Sequence, residues 1–437
     1  MKLYELFLAS FYRIFKRDKR FKYYNKLRLN LKRDRSYIIK EQNKNIRKLI
    51  DHAYHQTAYY KELMDSLKIH PNDIRTKDDL NKLPELTKQL IKDNIDKLTS
   101  NDHYSQNIFK DISGGSTGEQ AILYKSTFFD QMSRGSWLRN NSIIGWMPSD
   151  KSAWIWGSSI KIKNKFKNKI SIFINRRIVL NAFDYTSDDF PIWYQRILKF
   201  KPKVLFGYSS IILEFSKFII DNNLKLPSVK IVVSTSEKLR DHELIENAFN
   251  CKVYDQYGCR EVIAIGIELD MGKMILTDDV VVLNTNKKNE FLLTPLFSYG
   301  FPLINYKVGD IGKIKENTSI DKKYPFTNMD LQIGRVSDYF LRENNLRISS
   351  VAFSSAMDPT NFGIEVHQII QVNYMKFEIN YIPLENSDLK KYYKSVTEQL
   401  EHFFGKNLTI KFKGVLKIPV EKSGKLLLFK RIFKLSV

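Results

Sequence analysis

The segment Asp111 to Ser126 reads DISGGSTGEQAILYKS, and its middle holds Ser113, Gly114, Gly115, Ser116, Thr117 and Gly118 in unbroken succession. Side chains this small let the backbone come close to a ligand and aim several N–H groups and hydroxyls at one point. Such a run can cradle a phosphate chain without a dedicated cation. No Gly-Lys-Ser/Thr follows, so it is not a P-loop, and taken alone it would serve equally as a surface turn.

Four further patches carry side chains suited to the same ligand. In IVVSTSEKLRD (231–241) an apolar run ends with Ser236 and Glu237 at its carboxyl end, where open α/β sheets bind ligands. In VYDQYGCRE (253–261) a second run ends in Asp255, Gln256, Tyr257, Gly258, Arg260 and Glu261. The Tyr257 ring can stack on a base, and Glu261 is the hard oxygen ligand that Mg2+ prefers. In INYKVGDIGKI (304–314), Asp310 is expected in a Gly-flanked turn, where a carboxylate can accept two ribose hydroxyls. IGRVSD (333–338) brings Arg335, a fixed donor fork, and Asp338, expected to be a hinge. Together the patches point to ATP. Each also has a plain alternative: Asp310 could cap a turn, Arg335 could form a surface ion pair, and Glu261 could begin a helix.

These residues need elements to hold them. Between about 105 and 335 short apolar runs alternate with longer helical ones. Candidate strands are Ala153–Trp156, Val204–Phe206, Ile231–Ser234, Val253–Tyr254 and Phe291–Thr294, with helices at Pro191–Lys199, Ser210–Asp221 and Arg240–Phe249. That alternation predicts a layered α/β domain with at least partly parallel strands. The lysine-alternating stretch Lys161–Lys169 is expected as an exposed loop or hairpin. After about Ser337 come strand-like runs at Arg347–Phe353 and Ile369–Tyr381. An amphipathic helix with Leu389, Tyr393, Val396, Leu400 and Phe403 on one face follows, then a strand Leu408–Lys413. This predicts a large N-terminal layered α/β domain, residues 1–337, and a small mobile C-terminal α+β domain, residues 338–437.

Residues 1–65 read as helical and basic. Leu3, Leu6, Phe7, Phe11 and Phe15 recur at helical spacing, and Ile46, Leu49, Ile50, Ala53 and Tyr54 form a second stripe. The first stripe suits either packing on its own domain or peripheral membrane contact through residues 1–36, with Arg13, Lys16 and Arg17 near anionic headgroups. The formal charge of +23 is uneven, with twelve Lys/Arg against three acids in residues 2–35, so the partner classes are nucleic acid, anionic lipid or an anionic substrate. Two cysteines, Cys251 and Cys259, make no disulfide scaffold, and with no apolar run of membrane-spanning length the expectation is a cytoplasmic protein, either free or held at the inner face of the membrane. His52 and His55 are i, i+3 neighbours that lack a third metal ligand nearby.

The order SGGSTG, STSE, DQYGCRE, YKVGD, IGRVSD resembles the superfamily of adenylate-forming enzymes, within it the phenylacetate–CoA ligase group and its CapK-like branch, associated with capsule and surface polysaccharide. HAYHQTAYYKELM (52–64), FGYSSIILEFSKFI (206–219) and the closing EKSGKLLLFK (421–430) extend the resemblance over nearly the whole chain. It implies that a carboxylic acid and ATP give an acyl-adenylate, which then passes to a thiol such as CoA or to an amine on an amino sugar or polysaccharide precursor. It implies that Ser113–Gly118 hold the β- and γ-phosphates, Glu261 positions Mg2+, Tyr257 lies against adenine, and Asp310 and Arg335 bind the ribose. Lys425 is implied as the catalytic lysine, with Lys422 a competing candidate, and rotation about Asp338 as the switch between half-reactions. Departures are Glu119 and Gln120, where many members have Lys-Pro, with Lys125 as a substitute cation, and the missing Cys-rich insertion, so no structural zinc is expected. The alternatives are a basic nucleic-acid-binding module, against which no reader motif is seen and no specific nucleic acid is expected, and a family member that binds nucleotide without turnover.

Overall fold

The computed structural model describes residues 3–15, 17–112, 122–157, 165–182, 185, 187–236, 239, 241–270, 272–315, 323–333, 339–342, 347–349, 359–418 and 429–433. The helices are α1 (Leu3–Phe15), α2 (Arg20–Asn30), α3 (Arg35–Gln56), α4 (Ala58–Leu67), α5 (Lys88–Asp93) and α6 (Ile95–Leu98), then α7 (Thr127–Ile143), α8 (Lys165–Asn175), α9 (Asp189–Phe200), α10 (Ser209–Asp221) and α11 (His242–Phe249). The strands begin with β1 (Ile108–Ile112), β2 (Ile122–Ser126), β3 (Ser152–Trp156), β4 (Arg177–Asn181), β5 (Val204–Tyr208) and β6 (Ile231–Thr235). They continue with β7 (Lys252–Tyr257), β8 (Gly266–Asp270), β9 (Lys273–Leu276), β10 (Val281–Thr285), β11 (Glu290–Pro295), β12 (Tyr306–Lys315) and β13 (Asn328–Ile333). Two compact units divide the chain: 1–113 with 121–150 and 254–334, and 114–120 with 151–253 and 335–437. The expected domain boundary at 337/338 falls among residues 334–338, outside the described residues.

In the first unit an antiparallel run is ordered β10-β11-β12-β13-β9-β8-β7, and β1 pairs with β2 in a separate hairpin. Helices α1 to α4 confirm the helical reading of residues 1–65. The stripe Ile46, Leu49, Ile50 and Ala53 is fully buried and joins Phe291, Leu293, Phe301 and Tyr306 in one core. Helix α2 packs on α7 through Phe21, Tyr24 and Leu27, and Gly135 permits the approach, because a Cβ there would stand 2.8 Å from the Cβ of Tyr23. Ser126 ends β2 and caps α7 by accepting from the Phe129 N–H at 3.2 Å.

In the second unit β6-β5-β3-β4 is a parallel run, and β5 is buried along its whole length, as a strand covered on both faces must be. Helices α9, α10 and α11 add Trp193, Ile211, Phe215, Ile245 and Phe249 to its core. Here Trp156 stacks on Tyr208 at 4.7 Å and Trp154 lies 5.0 Å from Phe206, so both tryptophans pack along the sheet. Toward the C-terminus, β14 (Tyr339–Leu341) and β15 (Arg347–Ser349) pair. A four-stranded sheet is ordered β18-β17-β16-β19, from β16 (Ile364–Asn373), β17 (Lys376–Pro383), β18 (Thr409–Gly414) and β19 (Phe429–Arg431). The helix Leu389–Phe404 lies between β17 and β18 in the chain, and its Tyr392, Val396, Leu400 and Phe403 are buried. The molecule is thus α/β with a small α+β C-terminal domain, as its alternation of periods predicts.

Three local expectations change. Lys165–Asn175 is a helix, so the stretch 161–169 is neither loop nor hairpin throughout, and its first four residues lie outside the described set. Ile369–Tyr381 is two strands of a hairpin rather than one. Asp310 lies inside β12, not in a turn. The flanking glycines serve that strand differently: Gly309 takes φ +95, and a Cβ on Gly312 would stand 2.3 Å from the Phe291 ring. No helix among the described residues is long and apolar enough to cross a membrane.

Candidate nucleotide site

Strand β12 alternates buried and half-buried positions from Tyr306 to Gly312, which sets Tyr306, Val308 and Asp310 on one side. Its start is gripped from the helical layer. The Tyr60 hydroxyl of α4 donates to the Pro302 carbonyl (3.2 Å) and accepts from the Ile304 N–H (3.0 Å). Asn305 donates to the carbonyls of Leu80 (2.6 Å) and Leu83 (3.0 Å), and Leu86 pairs with Tyr306 in a parallel bridge. The HAYHQTAYY segment is thereby a scaffold for β12.

The DQYGCRE segment covers the last three residues of β7 and the backbone just after it, which is held by several hydrogen bonds. The Cys259 N–H donates to the Val262 carbonyl at 2.8 Å, the Ile265 N–H to Tyr257 at 3.0 Å, and the Ile263 N–H to Ser133 Oγ at 3.4 Å. Gly258 is obligatory in this fold, since a Cβ would stand 2.6 Å from the Ile263 carbonyl oxygen. The Gln256 Oε1 accepts from the Trp137 indole at 2.8 Å, and the Asp255 N–H donates to Glu268 Oε2 at 2.8 Å.

Two carboxylates meet two phenols where these segments come together. Tyr257 donates to Asp310 Oδ2 at 2.8 Å, and Tyr306 donates to Glu261 Oε1 at 2.8 Å. Glu261 is only 2% exposed, and its Oε2 has no hydrogen-bond partner among the described residues. A buried carboxylate oxygen without a donor is costly unless a ligand completes it. A divalent cation has the matching chemistry: a hard, positive partner for a fixed, hard oxygen. Tyr306 lies in the same INYKVGD motif, and its period-two spacing from Asp310 is the sequence signal that sets both on one side of a strand.

In sequence SGGSTG falls between β1 and β2, and the paired strands are tied to this segment. Lys125 Nζ donates to Asp111 Oδ2 at 2.5 Å and to the Arg260 carbonyl, while Arg260 Nη1 lies 3.6 Å from Asp111 Oδ1. Lys125 is therefore a latch, and its ammonium is taken by Asp111 rather than offered as a substitute cation.

The structure brings together Tyr257, Gly258, Glu261 and Asp310, with Asp255 and Gln256 buried beside them in sequence. Ser236 lies in the second unit just after β6, exposed, at φ 70. Ser113, Gly114, Gly115, Ser116, Thr117, Gly118, Glu237, Arg335, Asp338, Lys422 and Lys425 lie outside the described residues. His52 Nε2 faces the Tyr299 carbonyl at 3.0 Å, His55 Nδ1 faces the Asp51 carbonyl at 2.8 Å, and burial holds the His52 pKa below its ordinary value. Burial pushes the Cys251 thiol up to about 12, which leaves it inert near neutrality.

A family model described as the CapK C-terminal domain matches residues 340–431. A protein named CapK from Staphylococcus aureus is 24% identical over 395 residues, covering 88% of this chain and 87% of that protein. The phenylacetate-coenzyme A ligase of Escherichia coli (strain K12) is 22% identical over 325 residues, covering 69% of this chain and 71% of its own. Among solved structures, a 2-hydroxyisobutyryl-CoA ligase in complex with 2-HIB-AMP and CoA, in its thioesterification state, matches with a TM-score of 0.59 at 15% identity. That match covers 91% of this chain and 90% of the other, and an open conformation of the same ligase gives 0.54. These likenesses fix the fold.

Proposed function

We propose that this chain, a CapK-like protein of the adenylate-forming superfamily, is an ATP-dependent ligase that activates a carboxylic acid and then transfers its acyl group. In the first half-reaction a carboxylate oxygen attacks the α-phosphorus of ATP, the bond to the bridging oxygen breaks, and pyrophosphate leaves with that electron pair. In the second, a thiol such as CoA or an amine attacks the acyl carbon, loses its proton, and AMP departs. The acceptor amine belongs to an amino sugar or a polysaccharide precursor, a reading that rests on the similarity to CapK. The work is done in the cytoplasm, where ATP and reduced thiols are both at hand.

The observation that carries this reading is the buried Glu261 carboxylate, oriented by Tyr306 and left open at Oε2. Bound there, Mg2+ would offset the charge of the phosphate oxygens. Tyr257 presents its ring to adenine while its hydroxyl orients Asp310 toward the ribose, with Arg335 as second ribose ligand. Ser113 to Gly118, with Ser236 and Glu237 at the carboxyl end of β6, receive the phosphates and their surroundings. Lys425, carried by the C-terminal domain of residues 338–437, bridges the α-phosphate and the substrate carboxylate. Turning about Asp338 then exchanges it for the acceptor.

Carboxylate-dependent exchange of labelled pyrophosphate into ATP tests the first half-reaction across a panel of acids. Exchange is expected with one chemical class of acid, and Lys425→Ala abolishes it while ATP still binds. Retained exchange in Lys425→Ala with loss in Lys422→Ala would move the role to Lys422. ATP binding without exchange for any acid would mark a member that has lost turnover.

A further inference from the structure

Helix α1 turns its one acid inward and three large apolar side chains outward. Glu5, the sole acid in LYELFLASFYRIF, is 3% exposed and accepts from Ser149 Oγ at 3.1 Å, beside the buried Leu8. On the other side Leu6 is 48% exposed, Phe7 47% and Ile14 67%. At helical pitch Leu6, Phe7, Ser10 and Ile14 fall on one stripe, with Arg13 at its margin. A helix that only packs on its own domain places such side chains inward and its acid outward. Here the Glu5–Ser149 bond holds the acid inward beside Leu8 and leaves Leu6, Phe7 and Ile14 facing outward.

Along the chain from this stripe through α2 the exposed charge has one sign. With Glu5 buried, the exposed ionisable groups that follow are Arg13, Arg17, Lys19, Lys22 and Lys26, and the intervening Asp18 is paired with Arg20. An occupant must therefore be apolar at contact and negative around it. A second copy of the chain would bring the same positive charge against its like.

We infer that α1 docks on an anionic lipid bilayer, with Leu6, Phe7 and Ile14 at the boundary between headgroups and acyl chains and the basic side chains among the headgroups. This does not depend on the ligase reading, since binding is measured without turnover. Full-length protein is sedimented with vesicles of phosphatidylcholine alone or mixed with phosphatidylglycerol. The wild type pellets with the mixed vesicles at low salt, and rising salt releases it. Leu6→Ser/Phe7→Ser/Ile14→Ser weakens binding by at least about tenfold, given the transfer free energy of large apolar side chains. Arg13→Gln and Arg17→Gln each weaken it by about fivefold at low salt, equivalent to roughly 1 kcal/mol per basic residue near the surface. These two exposed charges keep the test open should the triple variant misfold. Pyrophosphate exchange without vesicles is unchanged in all variants. Equal pelleting by wild type and the serine variant would overturn the inference, as would equal, salt-insensitive binding to phosphatidylcholine alone. So would a solution dimer that the serine substitutions dissolve while no form binds vesicles.

Discussion

Asp278 and Asp279 are buried as deeply as Glu261 and Asp310, at 3%, 4%, 2% and 3% exposed, yet their surroundings differ. Asp279 takes both arms of Arg139, at 2.8 and 3.3 Å, and the amide of Asn30 at 2.7 Å. Phe326 lies against the same guanidinium, 4.5 Å from its ring centre. Asp278 accepts from Arg35 and from the Thr327 N–H at 2.6 Å. Those acids are neutralised by cations of the fold and join the helical layer to the sheet. Glu261 meets a neutral phenol and, among the described residues, no cation. A buried charge answered by a buried charge is architecture; one answered only by a dipole is a candidate for completion by a ligand.

The sharpest way to break this contrast is to remove one cation. Arg139→Met should strip Asp279 of its counter-charge at a fully buried site and cost about 3–5 kcal/mol, read as a lower denaturant midpoint with unchanged slope. A variant as stable as wild type would end the distinction. Glu261→Gln should behave oppositely. It removes a charge the fold leaves uncompensated, so the denaturant midpoint holds or rises, while pyrophosphate exchange falls by roughly 10²–10³. Unfolding comparable to Arg139→Met would make Glu261 a structural acid. Tyr306→Phe is intermediate: loss of the donor to Glu261 should cost about 1–3 kcal/mol, and much of that should vanish in a Glu261→Gln background. Additive losses in the double variant would deny the coupling.

The smallest effect concerns a buried base rather than an acid. Burial depresses the His52 pKa, despite Asp102 Oδ2 at 3.8 Å from Nδ1. The unfolded chain therefore binds the proton more readily, so stability is full above the ordinary histidine value and declines as pH drops through roughly 6.5. His52→Gln keeps a donor for the Tyr299 carbonyl and should flatten that acid limb in urea titrations at pH 7.5 to 5.5. An unchanged slope would assign the acid lability elsewhere.

Period and punctuation revealed the parallel strands and their helices, because short apolar runs such as β5 alternate with longer ones such as α10. They also singled out Glu261, Tyr257 and Asp310 by residue type. They did not reveal that Asp310 belongs to a strand. Its two glycines resemble a turn in one dimension, and only the Phe291 ring over Gly312 shows why a strand needs one there. Nor did they reveal the rotation of α1. Helical periodicity finds a stripe but not which side the protein covers, and that was decided by one bond to Ser149, 144 positions away. The saturated pair Arg139–Asp279 was equally hidden, since partners 140 residues apart leave no local pattern.

The Lys125 latch bears on any attempt to recombine this chain with a relative. Its ammonium spans three pieces of sequence: the outgoing strand at Asp111, the return strand on which it sits, and the carbonyl just ahead of Glu261. A transplanted hairpin that brings its own spacing but not this lysine would leave Asp111 facing Arg260 alone, across 3.6 Å. Asp111, Lys125 and the backbone at Arg260 therefore act as one block, and chimera junctions drawn between them would cut the tie that holds the β1/β2 hairpin to the backbone beside Glu261.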